Sequence, residues 1–402
     1  MELAMTKSNN RKNEHVSLAQ KFYREKESPL KDVQLVHHSL PQTDLDQVDL
    51  AVSFAGLNFQ VPFFINAMTG GSQWTQTINE KLAIIARETQ LAMATGSVSA
   101  ALKDPSLAPS YQVVRQVNPN NIVLANLGAN HGLENAKRAV DLLQADALQV
   151  HLNAPQEIVM PEGDRTFSQW LDNIQAICAG LDLPVIVKEV GFGMSKETVQ
   201  TLEEAGVTYI DVSGSGGTNF TQIENYRRKE NKLDDFEGIG QTTAISLLEA
   251  MEAKQKSQII ASGGIRTPLD IVKSLALGAD LVGVSNQILH LAIEDVNKAI
   301  DTINLWKEEL KKWYTILGAK KTADLQVQTD LVITGQTAAW CQARQIDLTP
   351  YAKRRAKFQA RWNAGAQATV ADEPIIKKQP WPSSKPGHGC FVLVNMVDLI
   401  FD

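Results

Sequence analysis

Two glycine-rich stretches hold the densest set of groups able to bind an anion. One is Asp211-Val212-Ser213-Gly214-Ser215-Gly216-Gly217-Thr218-Asn219, the other Ala261-Ser262-Gly263-Gly264-Ile265-Arg266. Each follows a run of β-branched residues. Loops of this composition at the carboxyl ends of parallel strands let backbone N–H groups approach a phosphate closely. The second stretch runs on into Thr267-Pro268-Leu269-Asp270, a helical repeat, and the apolar Leu281-Val282-Gly283-Val284, ending at Ser285. A strand, a Gly-Gly loop, a helix and a strand ending in Ser is how the last two units of a (β/α)8 barrel hold a phosphate.

In a barrel the chemistry gathers at the carboxyl ends of the strands. Those ends supply Asn66-Ala67-Met68-Thr69-Gly70-Gly71, Gly96-Ser97, Asn126, His151-Leu152-Asn153 with Gln156-Glu157, Lys188, Ser213 with Thr218, Gly263-Gly264, and Ser285-Asn286. One cation stands among many neutral hydrogen-bonding groups. Flavin mononucleotide (FMN) suits this set: its ring edge needs donors and acceptors, and a Lys near N1–C2 stabilises an anionic reduced ring. Lys188 lies in the apolar run Pro184-Val185-Ile186-Val187-Lys188-Glu189-Val190-Gly191-Phe192-Gly193. Burying an ammonium without partners is expensive, which favours function over a solvated loop lysine.

Simpler alternatives stand beside the other groups. Asn and Ser at strand ends cap helices, and His151 alone suits a structural role. Glu157 is either a carboxylate favoured by a helix N-terminus or an oxygen ligand for Mg²⁺, the ion keeping waters and touching a substrate phosphate. Arg11-Lys12-Asn13-Glu14-His15-Val16 opens a helix through Phe22-Tyr23-Arg24. Its two cations and histidine can grip a diphosphate, although composition alone favours a solvated helix start. The adjacent His37 and His38 would point to opposite faces of a strand, which suits structure better than a shared metal.

The elements that must position these groups follow a rhythm from residue 61. Apolar strand candidates end near Asn66, Thr95, Asn126, His151, Lys188, Ser213, Ser262 and Ser285. Amphipathic helices are expected at 78–89, 133–143, 167–179, 196–205, 244–254 and 269–277, with a further helix over 293–316. Eight strands alternating with helices mean a parallel sheet, and polar residues at nearly every strand end favour closure. The expected class is α/β, a (β/α)8 TIM barrel over 61–350. An N-terminal extension over 1–60 would contribute substrate-binding residues. An atypical basic and Pro-containing tail over 351–402 would be helical at 351–361 and unstructured at 372–389. Its terminal 391–401 is too short to span a bilayer. The stretch 214–257, with its charged run Arg227–Asp235, breaks the even spacing and is expected to be a functional lid or disordered.

The chain has 402 residues, 44% hydrophobic and 21% charged, enough for a sizeable core. A net charge of −6 argues against a nucleic-acid partner. The three cysteines, Cys178, Cys341 and Cys390, share no metal-ligand spacing and suit a reducing compartment. No apolar run approaches a membrane span, and the N-terminus lacks a signal-peptide core. A cytoplasmic protein is expected.

Taken together, Arg11-Lys12-Asn13-Glu14-His15, Asn66-Ala67-Met68-Thr69-Gly70-Gly71, His151-Leu152-Asn153-Ala154-Pro155-Gln156-Glu157, Val187-Lys188-Glu189-Val190-Gly191-Phe192-Gly193-Met194-Ser195, the 211–219 stretch and Ser262-Gly263-Gly264-Ile265-Arg266-Thr267-Pro268 resemble, in order, the motifs of type 2 isopentenyl-diphosphate isomerases. The resemblance covers roughly 8–350. It implies interconversion of isopentenyl and dimethylallyl diphosphate on a barrel, with reduced FMN, NADPH as reductant and Mg²⁺, in a homo-oligomer. It further implies that Arg11, Lys12, His15, His151 and Asn153 hold the diphosphate, that Gln156 faces the isoprenoid carbons, and that Glu157 binds Mg²⁺. Ala67, Met68, Thr69, Ser97, Asn126, Lys188, Ser213 and Thr218 would line the flavin; Gly263, Gly264, Arg266, Ser285 and Asn286 would surround its phosphate. Gln156 and Lys188 are the residues expected nearest the chemistry, with the flavin itself as acid and base.

Two departures from the family pattern stand out. Ser285-Asn286-Gln287 replaces a usual Ser-Arg, removing a cation beside the flavin phosphate, and Ser99 replaces a frequent Arg. Two rival readings remain. A flavin-dependent 2-hydroxy-acid oxidase would need a His after the sixth strand, and 213–219 has none. A binding protein with a decayed flavin site is the other.

Overall fold

The computed structural model describes residues 2–23 and 27–357, with the backbone alone up to residue 10. Eight strands close into a barrel, every neighbouring pair parallel: Phe63–Ile65, Met93–Ala94, Val123–Gly128, Ala147–His151, Val185–Lys188, Tyr209–Asp211, Gln258–Ser262 and Leu281–Val284. They are the expected strands, most of them stopping at or within two residues of the expected polar end. Val123–Gly128 runs two residues past Asn126 because Asn126, Leu127 and Gly128 pair with Gln149, Val150 and His151.

Period-two alternation sorts the side chains into layers. Phe64, Ala94, Leu124, Ala147, Ile186, Ile260 and Leu281 form one apolar cluster inside the barrel. A two-stranded hairpin, Val52–Phe54 with Leu57–Phe59, closes that end, packing Phe54 and Phe59 into the same cluster. Two residues further along the same strand faces stand Asn66, Asn126, Gln149, Lys188, Asp211 and Ser262, all buried. The inner wall therefore changes from apolar to polar toward the carboxyl ends, which is the end that can bind a ligand. The intervening residues, such as Phe63, Ile65, Val123, Ala125, Leu148 and Val187, pack outward in the larger core with the helices.

Helices Gln73–Thr89, Leu133–Leu143, Trp170–Gly180, Lys196–Glu204, Thr243–Ala253 and Pro268–Leu277 match the expected ones to within a few residues. Several starts are fixed by side-chain caps: Ser72 and Thr267 form capping boxes, and Thr242 accepts from Ile245 N–H. The expected 293–316 helix is two, Asn286–Glu294 and Val296–Leu317. Asp295 divides them by adopting an extended backbone and accepting from Lys298 N–H.

The stretch 214–257 is neither a bare loop nor disordered. Besides the Thr243–Ala253 helix it contains a helix, Phe220–Arg227, and a 3₁₀ turn, Asp234–Gly238. The N-terminal helix starts at Glu2, earlier than expected, and ends at Lys21. Val33–Leu35 pairs antiparallel with Leu331–Ile333, joining the extension to the segment after the barrel. His37 and His38 lie beyond that strand, not within one as expected, and His38 Nδ1 accepts from Leu40 N–H at 3.0 Å.

Of the tail, only its start is described. Tyr351 is buried at the end of the Thr349–Ala352 helix, and Arg354 stacks over its ring and donates to the Ala276 carbonyl. Most of the expected 351–361 helix beyond 357, the 372–389 and 391–401 segments and Cys390 lie outside the described residues. Cys178 and Cys341 are free thiols. Among the described residues no helix is long and apolar enough to cross a membrane.

Candidate active site

The carboxyl ends of the strands open into a cavity of about 360 Å³. Every residue expected to hold the substrate, the flavin or the metal lines it: Arg11, Lys12 and His15 from the N-terminal helix, Ala67, Met68 and Thr69 after the first strand, and Ser97, Asn126, His151, Asn153, Gln156, Glu157, Lys188, Ser213, Thr218, Gly263, Gly264, Arg266, Ser285 and Asn286 around the rim. Residues far apart in sequence, on the helix and on eight strands, thus face one space.

One side of the cavity is built from the two glycine-rich loops. Gly263 has φ +97°, and a Cβ there would lie 1.9 Å from the Gly214 carbonyl oxygen. A Cβ on Gly217 would lie 2.9 Å from Gly264 N. The loops meet backbone to backbone, and Arg266 ties them by donating to the Gly216 carbonyl. Ser213 carries a positive φ of 35°, which costs a non-glycine residue about 1–3 kcal/mol and clusters at functional sites. Its N–H is held by Asp211 Oδ1 at 3.2 Å. Lys188 is buried and donates to the Glu189 carbonyl at 2.7 Å. Burial lowers its pKa, against the opposing pull of Asp211 and Glu189. Glu189 spends its carboxylate on the N–H groups of Val190, Gly191 and Phe192, shaping the turn after Lys188, and burial lifts it to about 7. A backbone cradle that side chains would fill, beside a buried ammonium, fits a phosphate-tailed flavin.

The other side is charged. Lys12 is lowered to about 8 by burial and then by neighbouring Arg11, while Glu157 and Glu224 pull the other way. Arg11 Nε is buried without a partner, and His15 Nε2 lies 2.8 Å from Glu224 Oε1 without a well-directed hydrogen bond. These unsatisfied donors and a buried cation make the solvated-helix reading untenable and suit an anionic ligand. His151 is pushed down to about 3 by burial and then by Lys188 and Lys12, so it is neutral while the cavity holds no anion. Glu157 Oε1 accepts from Asn153 Nδ2 and Oε2 from Asp164 N–H, both at 2.8 Å. Among the described residues no group of three or more His, Cys, Asp or Glu is placed to hold a metal. Glu157 fits a Mg²⁺ that takes its other ligands from water and phosphate oxygens.

Sequence reasoning missed Glu224. It sits fully buried on the Phe220–Arg227 helix, accepting from Gln156 Nε2 at 3.0 Å and paired with His15 and Arg227. Burial alone would raise its pKa, but His15, Gln156 and Arg227 outweigh it and hold Glu224 at about 2. Arg227 also reaches Glu14 at 2.9 Å and Glu162 at 2.7 Å. The spacing Phe220-x-x-x-Glu224-x-x-Arg227 was the available signal. Lys103, His131, Met160 and Trp170 also line the cavity unanticipated.

Both departures are tied into the structure. Ser99 Oγ lies 2.9 Å from Ser97 Oγ and 2.9 Å from His131 Nε2. Asn286 Oδ1 accepts from Gln20, and Gln287 Oε1 from the Tyr23 hydroxyl at 2.5 Å, while the Tyr23 ring stacks on His290. Asn286 and Gln287 thus fasten the N-terminal helix and the residues just after it to the barrel.

Comparison with known proteins agrees with this geometry. Residues 114–332 match the family model described as FMN-dependent dehydrogenase. The chain is 48% identical over 344 residues to the isopentenyl-diphosphate delta-isomerase of Staphylococcus saprophyticus, covering 85% of this chain and 99% of that protein. It is 49% identical over 351 residues to the enzyme of that name from Nocardia farcinica, covering 86% and 96%. Among solved structures, mandelate oxidase superposes with a TM-score of 0.53 at 18% identity, covering 80% of this chain and 91% of that one. A flavocytochrome b2 variant with benzoylformate gives 0.57 at 18%, covering 88% and 85%. At that identity the likeness concerns the barrel alone.

Proposed function

The chain belongs to the FMN-dependent dehydrogenase family and, within it, to the isopentenyl-diphosphate delta-isomerases, and from that premise we propose how its cavity works on isopentenyl and dimethylallyl diphosphate. The observation that carries the reading is the single cavity in which the cations of the N-terminal helix face Lys188 and the glycine cradle. The barrel over 61–350 would hold FMN, with Ala67, Met68, Thr69, Ser97, Asn126, Lys188, Ser213 and Thr218 along the ring and Gly263, Gly264, Arg266, Ser285 and Asn286 at the phosphate. The extension over 1–60 would cover it, with Arg11, Lys12, His15, His151 and Asn153 on the diphosphate and Glu157 sharing a Mg²⁺ with it.

The reaction moves a double bond, so one carbon gains a proton and another loses one, with no net redox change. Reduced FMN, when bound, supplies the acid and base sites for that shift. Gln156 orients the isoprenoid end, its amide fixed by donation to Glu224. Glu224, held ionised by His15, Gln156 and Arg227, is a fixed acceptor and not an acid at neutral pH. Lys188 would supply a positive charge to a flavin ring edge bound beside it, which favours the anionic reduced ring. The N-terminal helix excludes water by closing the cavity against Asn286, Gln287 and the 220–227 helix. NADPH as reductant, a cytoplasmic setting and a homo-oligomer belong to the same proposal.

The 2-hydroxy-acid oxidase reading lacks its base: the loop 213–219 has no His, and the histidines lining the cavity are His15, His131 and His151. A decayed site would have no reason to keep Lys188 buried at the cavity, or to keep the buried Glu224 behind the cavity-lining Gln156. Conversion of isopentenyl to dimethylallyl diphosphate, followed with FMN, reductant and Mg²⁺ omitted in turn, tests the proposal. Each omission should abolish or strongly slow conversion; full activity without FMN would sink the flavin mechanism, and unaltered activity without Mg²⁺ would remove the metal from Glu157.

A further inference from the structure

Beneath the cavity floor a chain of buried side chains crosses the barrel; Asn126 lines the cavity, whereas Asn66 and Gln149 lie behind its lining. Asn66 Nδ2 donates to Asp211 Oδ2 at 2.8 Å, and Gln149 Nε2 donates to Asn66 Oδ1 at 2.9 Å. Asn126 Nδ2 donates to Gln149 Oε1 at 3.1 Å, and Asn126 Oδ1 lies 2.9 Å from His151 Nδ1. Asp211, Asn66, Gln149 and Asn126 are each at most 3% exposed. Gly283 leaves the room: a Cβ there would lie 2.5 Å from Asn66 Nδ2.

An amide has a donor end and an acceptor end, so the direction of such a chain is settled by one fixed partner. Here the fixed partner is a backbone group. Ala67 N–H, which can only donate, reaches Asn66 Oδ1 at 2.8 Å. Asn66 must therefore turn its NH₂ to Asp211, whose other oxygen accepts from Ser262 Oγ at 2.7 Å and from Ser213 N–H. Gln149 must then offer NH₂ to Asn66 and oxygen to Asn126. Asn126 must offer NH₂ to Gln149 and oxygen to His151. A carbonyl oxygen needs a donor opposite it, so His151 must carry a proton on Nδ1. The direction does not depend on the ionisation of Asp211, because Ala67 N–H holds Asn66 Oδ1 in either case.

We propose that Asn66, Gln149 and Asn126, held at the far end by Ala67 N–H and Asp211 together, form a positioning chain that fixes His151 with its proton on Nδ1 and leaves Nε2 to take a proton from solvent when a diphosphate enters the cavity. The step rests on the diphosphate reading above. An imidazole with a bare Nε2 offers only a lone pair, which repels phosphate oxygens; the protonated nitrogen donates to them. The balance is simple: one proton leaves the buffer, one N–H bond forms at Nε2, and the ring gains the charge that the diphosphate offsets. The charged or titratable groups around His151 are Lys188 from the fifth strand, Lys12 from the N-terminal helix and His131 after the third strand. All three oppose a second proton while the cavity lacks an anion, and burial does too.

The test is nitrogen NMR on the FMN-loaded full chain with labelled histidine, before and after saturating inorganic pyrophosphate. His151 should show a protonated Nδ1 and a bare Nε2 first, then two protonated nitrogens, with proton uptake seen by calorimetry in buffers of different ionisation enthalpy. Asp211→Asn, which weakens one of the two holds on Asn66, should weaken the preference for that tautomer. Should that variant not fold, Gln149→Met breaks the chain at its middle, away from the cavity. It should raise KM for the diphosphate substrate about tenfold, one lost hydrogen bond's worth, while kcat moves much less. A wild-type His151 protonated on Nε2 alone, or a folded Gln149→Met that keeps both tautomer and KM, overturns the proposal. A correct tautomer with bound pyrophosphate and no proton uptake overturns the second half. Failure of pyrophosphate to bind at all is distinguishable from these, since the tautomer is read without it, and contradicts the diphosphate reading together with the uptake step.

Discussion

Lys12 is a cation facing the cavity whose titration falls close to physiological pH. Its ammonium is lowered to about 8 by burial and by Arg11. The unfolded chain, with Lys12 near its ordinary 10.5, binds more protons between those values. Burying the charge therefore costs stability fully below about 8, and the cost is relieved as pH rises from about 8 toward 10.5. Binding runs the opposite way, because a diphosphate needs the ammonium. We expect kcat/KM to fall as pH rises through about 8, and Lys12→Arg to move that fall upward, since guanidinium keeps its proton. A pH profile of the two proteins checks this; identical profiles would remove Lys12 from diphosphate binding. At this scale the sequence was generous about strand ends and poor about Glu224. Strand ends are marked by where an apolar run stops. Glu224 has only the weak local mark of Arg227 three residues on, because its burial also depends on His15 and Gln156 arriving from elsewhere in the chain.

The Phe220–Arg227 helix shows why an element can hide. Its buried residues include Thr221, Glu224 and Asn225, so no apolar stripe announces it. It is held instead by polar bonds: Thr221 Oγ1 to the Phe236 carbonyl, and Asn225 Nδ2 to Asp234 and Glu237. Arg227 then braces three elements through Glu14, Glu162 and Glu224. Arg227→Met keeps the packing of the stem and leaves Glu224 buried without its cation, a loss of about 3 kcal/mol or more. Denaturant unfolding should read that loss, and limited proteolysis should cut faster within 11–23, where the brace holds the N-terminal helix. An unchanged unfolding midpoint would mean that the three carboxylates do not depend on Arg227. The same polar logic explains Asn286 and Gln287. Read alone they look like a lost cation; in the structure they bond Gln20 and Tyr23, a contact across more than 260 positions that no local pattern displays.

The whole molecule was legible where regular periodicity repeats. Eight alternating units produced the barrel and the cavity end, since period-two inner faces and helical outer faces leave few other closures. The hairpin that plugs the barrel and the pairing of Val33–Leu35 with Leu331–Ile333 were not legible, because three-residue strands carry too little pattern. At this scale the central claim is that the flavin is reduced once and then serves many turnovers as acid and base, since the substrate and product differ only in the position of a double bond. The direct measurement is product formed per NADPH oxidised, under exclusion of oxygen, with FMN-loaded enzyme and excess isopentenyl diphosphate. The account predicts one NADPH per flavin at the start and then many molecules of dimethylallyl diphosphate with no further oxidation. One NADPH consumed for each product molecule would contradict it.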